Sequence, residues 1–321
     1  MGKTAFVTGG TGFVGSHLVE ALLQHGYSEI RCLIRSEPKW LSNLNVSHVY
    51  GTLDDPVALK RALKGVEYIY HLGALTRAKT WSMLYNANVE ATTNLMRAAV
   101  DANVSKICVA SSLAVVGKSG ELIADESTPC QPVSMYGWSK LAMENELNQS
   151  SLPIIILRPP AVYGPRDRDL LTFFSAVNRG ICVAPRRDHG LSLVYVKDLA
   201  RGIIQATESP HTVGKTYYLG NHKVISWGAL KRASENALNK KSRMVHVPRS
   251  LILPLGSISE FTGKLSRNYP PLNREKAREI LHATKQCSSR KAQEEFGYTS
   301  HTSLEEGIQE TITWYRKHRW L

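Results

Sequence analysis

The chain lacks the marks of several large protein classes. No apolar run approaches the ~18 residues that a membrane-spanning helix needs. No secretory signal stands at the start, where Met1 leads directly into Lys3-Thr4-Ala5-Phe6-Val7, the pattern of a first strand. There is no repeat and no low-complexity stretch, and a hydrophobic share of 43% over 321 residues excludes a disordered or fibrous chain. Cysteine is sparse: Cys32, Cys108, Cys130, Cys182 and Cys287 are odd in number, scattered, and without a C-x-x-C pair. That spacing predicts neither a disulfide framework nor a metal site, and it fits a reducing, cytoplasmic setting. Cys32 and Cys108 fall in apolar, strand-like runs and are expected in the core. Acidic residues are the scarcer charge, 27 against 40 Lys and Arg, for a formal net charge of +13. The surplus favours anionic partners such as a phosphorylated cofactor or a membrane surface. The cations are spread along the chain without a nucleic-acid-binding module, so no nucleic-acid partner is expected.

What is present is alternation. Short Val/Ile/Leu-rich runs at 3–8, 29–35, 48–51, 68–71, 106–111 and 154–158 are mostly unalternated, as strands buried on both faces are. Helical patterns at 12–25, 56–63, 81–101 and 134–149 separate them. Strand–helix alternation of this kind predicts an α/β fold with a parallel, doubly wound sheet. After Pro159-Pro160 the pattern loosens, and helical segments dominate from Ser226 onward. The expected organisation is a dinucleotide-binding domain over 1–160, with later segments interleaved, and a smaller, mostly helical substrate lobe over 161–321.

Thr8-Gly9-Gly10-Thr11-Gly12-Phe13-Val14-Gly15 follows the first strand and opens the first helix. Gly9, Gly12 and Gly15 recur every third residue. One permits a sharp turn, one lets backbone approach a pyrophosphate, and one lets helix and strand pack closely. The helix start then offers free N–H groups and a positive dipole end to phosphates. Twenty residues past Gly15, where an acid would hold the ribose of NAD, stands Arg35. An acid there would repel a 2′-phosphate, whereas a guanidinium can bind it bidentately, so NADP is the preferred cofactor and NAD the other candidate.

Tyr136-Gly137-Trp138-Ser139-Lys140 places a phenol and an amine four residues apart, on one helical face. A free phenol titrates near pH ~10, and lowering it to ~7 takes roughly 4 kcal/mol. An ammonium at about 4 Å, at an effective dielectric of ~20, supplies about that much, so Lys140 is expected to depress Tyr136. Ser111-Ser112 ends the preceding strand, and a hydroxyl there can hold a carbonyl oxygen for hydride attack.

Together with HLGAL (71–75), NVEATTNL (88–95), VASSLAVVG (109–117), LRPPAVYGP (157–165) and VYVKDLA (194–200), these motifs resemble the extended short-chain dehydrogenase/reductase, or NAD-dependent epimerase/dehydratase, superfamily. The likeness is nearest its 3β-hydroxysteroid dehydrogenase-like and dihydroflavonol reductase-like branches. The resemblance implies a Rossmann fold. It implies Ser112, Tyr136 and Lys140 as the catalytic set, with Asn88 supporting the active-site helix or its water relay. It implies cofactor contacts from Gly9, Thr11, Gly12, Phe13, Val14, Gly15, Arg35, Thr52, Leu53, Leu72, Gly73, Ala74, Lys140, Pro159 and Val162. Arg158 and the backbone after it would border the same pocket, and His71 would support backbone beside the cofactor. By the same likeness, the helices near 81–101 and 134–149 would form a homodimer interface.

The departures carry information. Gly51-Thr52-Leu53 replaces an acidic adenine-binding step, so Thr52 would be a neutral substitute. Ser112-Leu113-Ala114 lacks the acid pair of dehydratases. Ala161 and Leu191-Ser192 offer no charged donor where sugar-nucleotide epimerases hold a diphosphate, unless Arg166, Arg168, Arg186 and Arg187 compensate. The expected activity is therefore hydride transfer between nicotinamide and a secondary alcohol or ketone on an apolar, sterol-, lipid- or flavonoid-like small molecule. A sugar-nucleotide epimerase is one alternative, and a non-catalytic dinucleotide-binding sensor or scaffold is another. The apolar, Pro-punctuated stretch 245–263 is expected to pack on the C-terminal core or to make weak contact with a membrane surface.

Overall fold

The structure, a computed structural model, describes residues 2–118, 123–186, 188–265 and 274–321. Its frame is a wholly parallel sheet. Six strands match the predicted runs: β1 (Thr4–Thr8), β2 (Glu29–Ile34), β3 (Ser47–Tyr50), β4 (Tyr68–His71), β5 (Lys106–Ala110) and β6 (Ile154–Arg158). Two short parallel pairs lie outside that sheet, β7 (Ala161–Tyr163) with β9 (Leu193–Tyr195), and β8 (Ile181–Pro185) with β11 (Arg243–Val247). A seventh strand of the main sheet, β10 (Thr216–Tyr218), comes from the second half of the chain and completes the order β10-β6-β5-β4-β1-β2-β3. Sequence pattern missed β10 because Thr216-Tyr217-Tyr218 is three residues long and forms no apolar run, although both tyrosines are wholly buried.

The helices are α1 (Phe13–Gln24), α2 (Pro56–Leu63), α3 (Trp81–Tyr85), α4 (Ala91–Val100), α5 (Met135–Asn148), α6 (Leu171–Asn178), α7 (Val196–Glu208), α8 (Trp227–Leu238), α9 (Arg249–Leu265), α10 (Arg274–His282), α11 (Arg290–Phe296) and α12 (Leu304–Lys317). The single helix expected over 81–101 is broken by a π-helical turn at Asn86–Glu90 between α3 and α4. None is long and apolar enough to cross a membrane, among the described residues.

Each strand's alternate side chains enter opposite cores. Ala5 and Val7 pack with Leu18, Leu22, Leu199 and Ile203 of α1 and α7, while Phe6 packs with Leu59, Leu95, Met143 and Leu147 of α2, α4 and α5. Cys32 and Cys108 are buried in the first of these cores, as their apolar runs predict. A third core joins Phe174, Leu193, Leu230, Ile308 and Ile312 from the second half. Because β1 lies between β2 and β4, strand order reverses there, and the crevice outside the carboxyl ends of β1 and β4 is where a ligand fits such a sheet.

Candidate active site

That crevice opens into a cavity of about 610 Å³. The glycine turn lies behind Phe13 and Val14, and none of its glycines lines the cavity itself. Gly9 has φ +73°, and a Cβ on it would lie 2.6 Å from the Gly73 nitrogen. A Cβ on Gly15 would lie 2.1 Å from the Gly9 carbonyl oxygen. Only glycine lets these three pieces of backbone meet. Gly12 starts α1 with no side-chain cap, and the first turn carries no acid, so its N–H groups are left for a ligand. Phe13 and Val14 line the cavity, as do Leu72, Ala74, Pro159 and Val162. Gly73 packs on Thr8 behind them, and Thr11 stands half-exposed in the turn. The Ser111 side chain also lines the cavity, its hydroxyl buried and with no hydrogen-bond partner among the described residues. An orphaned polar atom beside an uncapped helix start and a clash-limited glycine cradle fits a dinucleotide.

The far end of the predicted cofactor set lies outside the cavity. Arg35 follows β2 exposed, with no ion pair among the described residues. Thr52 is exposed, and its hydroxyl oxygen accepts the Asp54 N–H at 3.2 Å in the turn before α2. Leu53 packs half-buried on the second core.

The predicted catalytic residues do converge. Ser112, Tyr136 and Lys140 line one wall. Ser134 caps α5, its hydroxyl oxygen accepting the Gly137 N–H at 3.2 Å, which starts the helix just before the phenol. Gly137 faces the Ala114 carbonyl so closely that a Cβ would sit 2.5 Å from it. The missing side chain lets α5 approach the segment after β5, and Ser112 hydrogen-bonds the Tyr136 hydroxyl there. Sequence reasoning passed over Gly137; its place inside Y-G-W-S-K is the signal that could have found it.

The electrostatics differ from expectation. Burial pushes the Tyr136 hydroxyl up to about 12, the carboxylates of Glu279 and Asp169 push it the same way, and only Ser112 opposes them. Lys140 is not among the groups acting on it. The amine donates to the Ala110 carbonyl at 2.8 Å and to the Met143 sulfur at 3.7 Å. Burial lowers Lys140 itself to about 8, against the pull of Glu144 one turn on. The protein's own groups therefore hold the phenol protonated at neutral pH, and the predicted depression to ~7 by Lys140 is corrected.

Behind the wall lies a fixed network. Asn88, in the π turn, accepts the Leu75 N–H at 2.7 Å and donates its amide to Leu75 O and to the Ser139 hydroxyl oxygen, both at 2.9 Å. It thereby joins the segment after β4 to α5. Thr92 spends its only proton on Asn88 O at 2.7 Å, so at 2.8 Å it accepts from His71 Nε2. His71 Nδ1 then accepts the Thr8 hydroxyl proton at 2.7 Å, while Gly73 N–H donates to that same oxygen at 3.1 Å. Burial lowers His71 to about 3, which matches the neutral tautomer this network requires. The histidine ties β1 to β4, the support role expected of it.

Two expectations are corrected. Arg158 does not border the cavity; its guanidinium turns inward and binds Glu144 bidentately at 3.0 and 2.5 Å, with both side chains buried. Arg166 is spent on the Ser16 hydroxyl (3.0 Å) and Glu20 (2.5 Å) and lies over Trp40, while Arg168 lies over Trp320. Arg186 is exposed at the end of β8, away from the cavity lining, and Arg187 lies outside the described residues. Arg166, Arg168 and Arg186 therefore do not replace a diphosphate site among the described residues. What sequence reasoning missed is the opposite wall. Asp167 and Asp169 precede α6, and Glu275, Glu279 and Ile280 come from α10. Glu275 accepts the Met135 N–H at 2.6 Å and so docks α10 on the start of α5. Burial raises the Asp167 carboxyl to about 7, although it accepts the Asp169 and Leu170 N–H groups.

Comparison with known proteins agrees with this architecture. The chain is 29% identical over 318 residues to the ceramide reductase of Caulobacter vibrioides, covering 98% of this chain and 95% of that protein. It is 31% identical to gox2253, whose crystal structure superposes with a TM-score of 0.82 over 99% of each chain. The UDP-glucose 4-epimerase of Thermotoga maritima, solved with UDP-glucose, shares the fold at a TM-score of 0.78 and 22% identity, over 98% of this chain and 99% of that one. The model of the NAD dependent epimerase/dehydratase family matches residues 5–220, so this chain is a member of that family.

Proposed function

We propose that the protein is an NADP(H)-linked oxidoreductase that interconverts a ketone and a secondary alcohol on an apolar small molecule. The observation that carries this reading is the convergence of Ser112, Tyr136 and Lys140 on the cavity that the uncapped start of α1 also faces. A nicotinamide bound there would supply the hydride for the carbonyl carbon, or accept it in the reverse direction. Ser112 holds the carbonyl oxygen beside the phenol. Tyr136, protonated at neutral pH, donates its proton to that oxygen as charge develops, and takes one back in oxidation. Lys140, its amine anchored on Ala110 O, would hold the nicotinamide ribose. Asn88 keeps α5 in register with the segment after β4. Arg35, exposed and unpaired among the described residues, takes the 2′-phosphate.

The apolar character of the substrate is supported by the lining, where Leu84, Leu170, Leu191, Trp227 and Ile280 outnumber charged donors, and by the ceramide named for the Caulobacter relative. Arg166 is committed to Ser16, Glu20 and Trp40 and Arg168 lies over Trp320, which weighs against their holding the diphosphate of a sugar nucleotide. Exposed Trp81, Met83 and Trp138 on α3 and α5 support a homodimer through those helices, and five free thiols fit a cytoplasmic setting. The test is Tyr136→Phe. Turnover should fall at least about a hundredfold while the dissociation constant for NADPH stays unchanged. Undiminished turnover removes the assigned role.

A further inference from the structure

We propose that the outer face of the β8–β11 pair, continued by the first half of α9, docks this protein on an anionic lipid surface. The strands run parallel with Ile181 opposite Arg243, Val183 opposite Val245, and Pro185 opposite Val247. Side chains alternate along each strand, so one face carries Cys182 and Ala184, both buried on the third core's side. The other face carries Ile181, Val183 and Val245, which are 47%, 45% and 41% exposed. A two-stranded sheet showing three β-branched side chains to water on one face marks an interaction surface.

α9 extends that face. It follows β11 after Pro248 alone. Ile252 and Gly256, one turn apart, are buried. Leu251, Pro254 and Ile258 form an exposed stripe at helical spacing, with Leu251 50% and Ile258 61% exposed. The side chains of Leu255 and Phe261 lie outside the described residues.

Charge selects the occupant. The segments that build the plate, 181–185, 243–247 and 249–258, contain no Asp or Glu. Arg243 and Arg249 lie on them and Arg179, Arg186, Lys240 and Lys241 flank them in sequence, all exposed, against one exposed acid among the described residues there, Asp188, three residues past Pro185. Apolar side chains ringed by cations match a leaflet with anionic headgroups, where the first enter the acyl boundary and the second meet phosphate. A second copy packed symmetrically on the same face would set these cations against their own counterparts. Docking itself needs nothing from the redox site, and only its use, delivery of an apolar substrate, rests on the proposed function.

The test is co-sedimentation of the full chain with phosphatidylcholine vesicles, and with vesicles in which about a third of the lipid is phosphatidylglycerol. Binding should be at least about tenfold stronger to the anionic vesicles and should weaken as salt rises. Val183→Asp/Val245→Asp and Lys240→Glu/Lys241→Glu should each weaken it at least about tenfold with an unchanged melting temperature, because all four positions are exposed. No preference for anionic vesicles, or unchanged binding by both variants, overturns the proposal. So does a wild-type dimer that Val183→Asp/Val245→Asp converts to monomer, since the face would then belong to a second copy. NADPH affinity, measured alongside, separates the two readings: lost vesicle binding with intact NADPH binding spares the redox assignment, and the reverse spares this one.

Discussion

Two regions around the cavity are made of different material. The glycine turn proposed for the dinucleotide, next to the lining residues Phe13 and Val14, is largely backbone. Gly9, Gly15 and Gly73 are pressed together at distances that no side chain tolerates, and a helix start has been left uncapped beside them. The opposite wall is side chains on separate elements, Asp167 and Asp169 before α6 and Glu275, Glu279 and Ile280 on α10, with no shared spacing. A backbone cradle constrains residue type at fixed offsets, and a side-chain wall constrains only volume and charge. The turn can therefore keep its cofactor while the wall changes substrate.

If that contrast is right, the largest loss comes from undermining the frame that the turn stands on. Glu144 on α5 and Arg158 at the end of β6 form a buried bidentate pair, and Arg158 also donates to the Tyr218 hydroxyl at 3.1 Å. Removing one partner strands the other charge. Glu144→Ala should cost about 3–5 kcal/mol in denaturant unfolding. A loss under about 1 kcal/mol would mean that the pair is not what fixes α5 to the sheet. A smaller change probes the cradle's outer end. Arg35→Glu should weaken NADPH at least about tenfold and leave NADH no weaker, read from the two dissociation constants. Equal losses for both would place Arg35 away from the 2′-phosphate.

The same contrast explains how much could be read from the sequence. The glycine turn, six of the seven sheet strands and the Tyr136–Lys140 spacing were legible because each follows from local geometry: an αL turn, a buried run, a helical face. The placement of Asn88 was legible as a residue, but the π turn that aims it was not. The phenol's titration was misread because four-residue spacing says nothing about where an amine points, and Lys140 points to Ala110 O. β10 and α10 were missed as parts of the sheet and the cavity because each reaches its place by tertiary contact, from more than fifty residues away in sequence.

The finest measurement asks whether the side-chain wall acts on the chemistry of the other. Glu279 lies one turn beyond Glu275 on α10, and its charge raises the Tyr136 hydroxyl. For alcohol oxidation the phenol must first lose its proton, so the rate climbs with pH along a limb set by that hydroxyl. Neutralising Glu279 removes a negative charge that opposes phenolate, and the hydroxyl falls. Glu279→Gln should therefore shift the limb to lower pH by about half a unit, a roughly threefold gain in rate at a fixed pH below it. Burial, the largest cause of the raised value, is untouched by this change, which is why the shift stays small. A limb that does not move would mean that α10 shapes the cavity without reaching its proton chemistry, and the two walls would be independent.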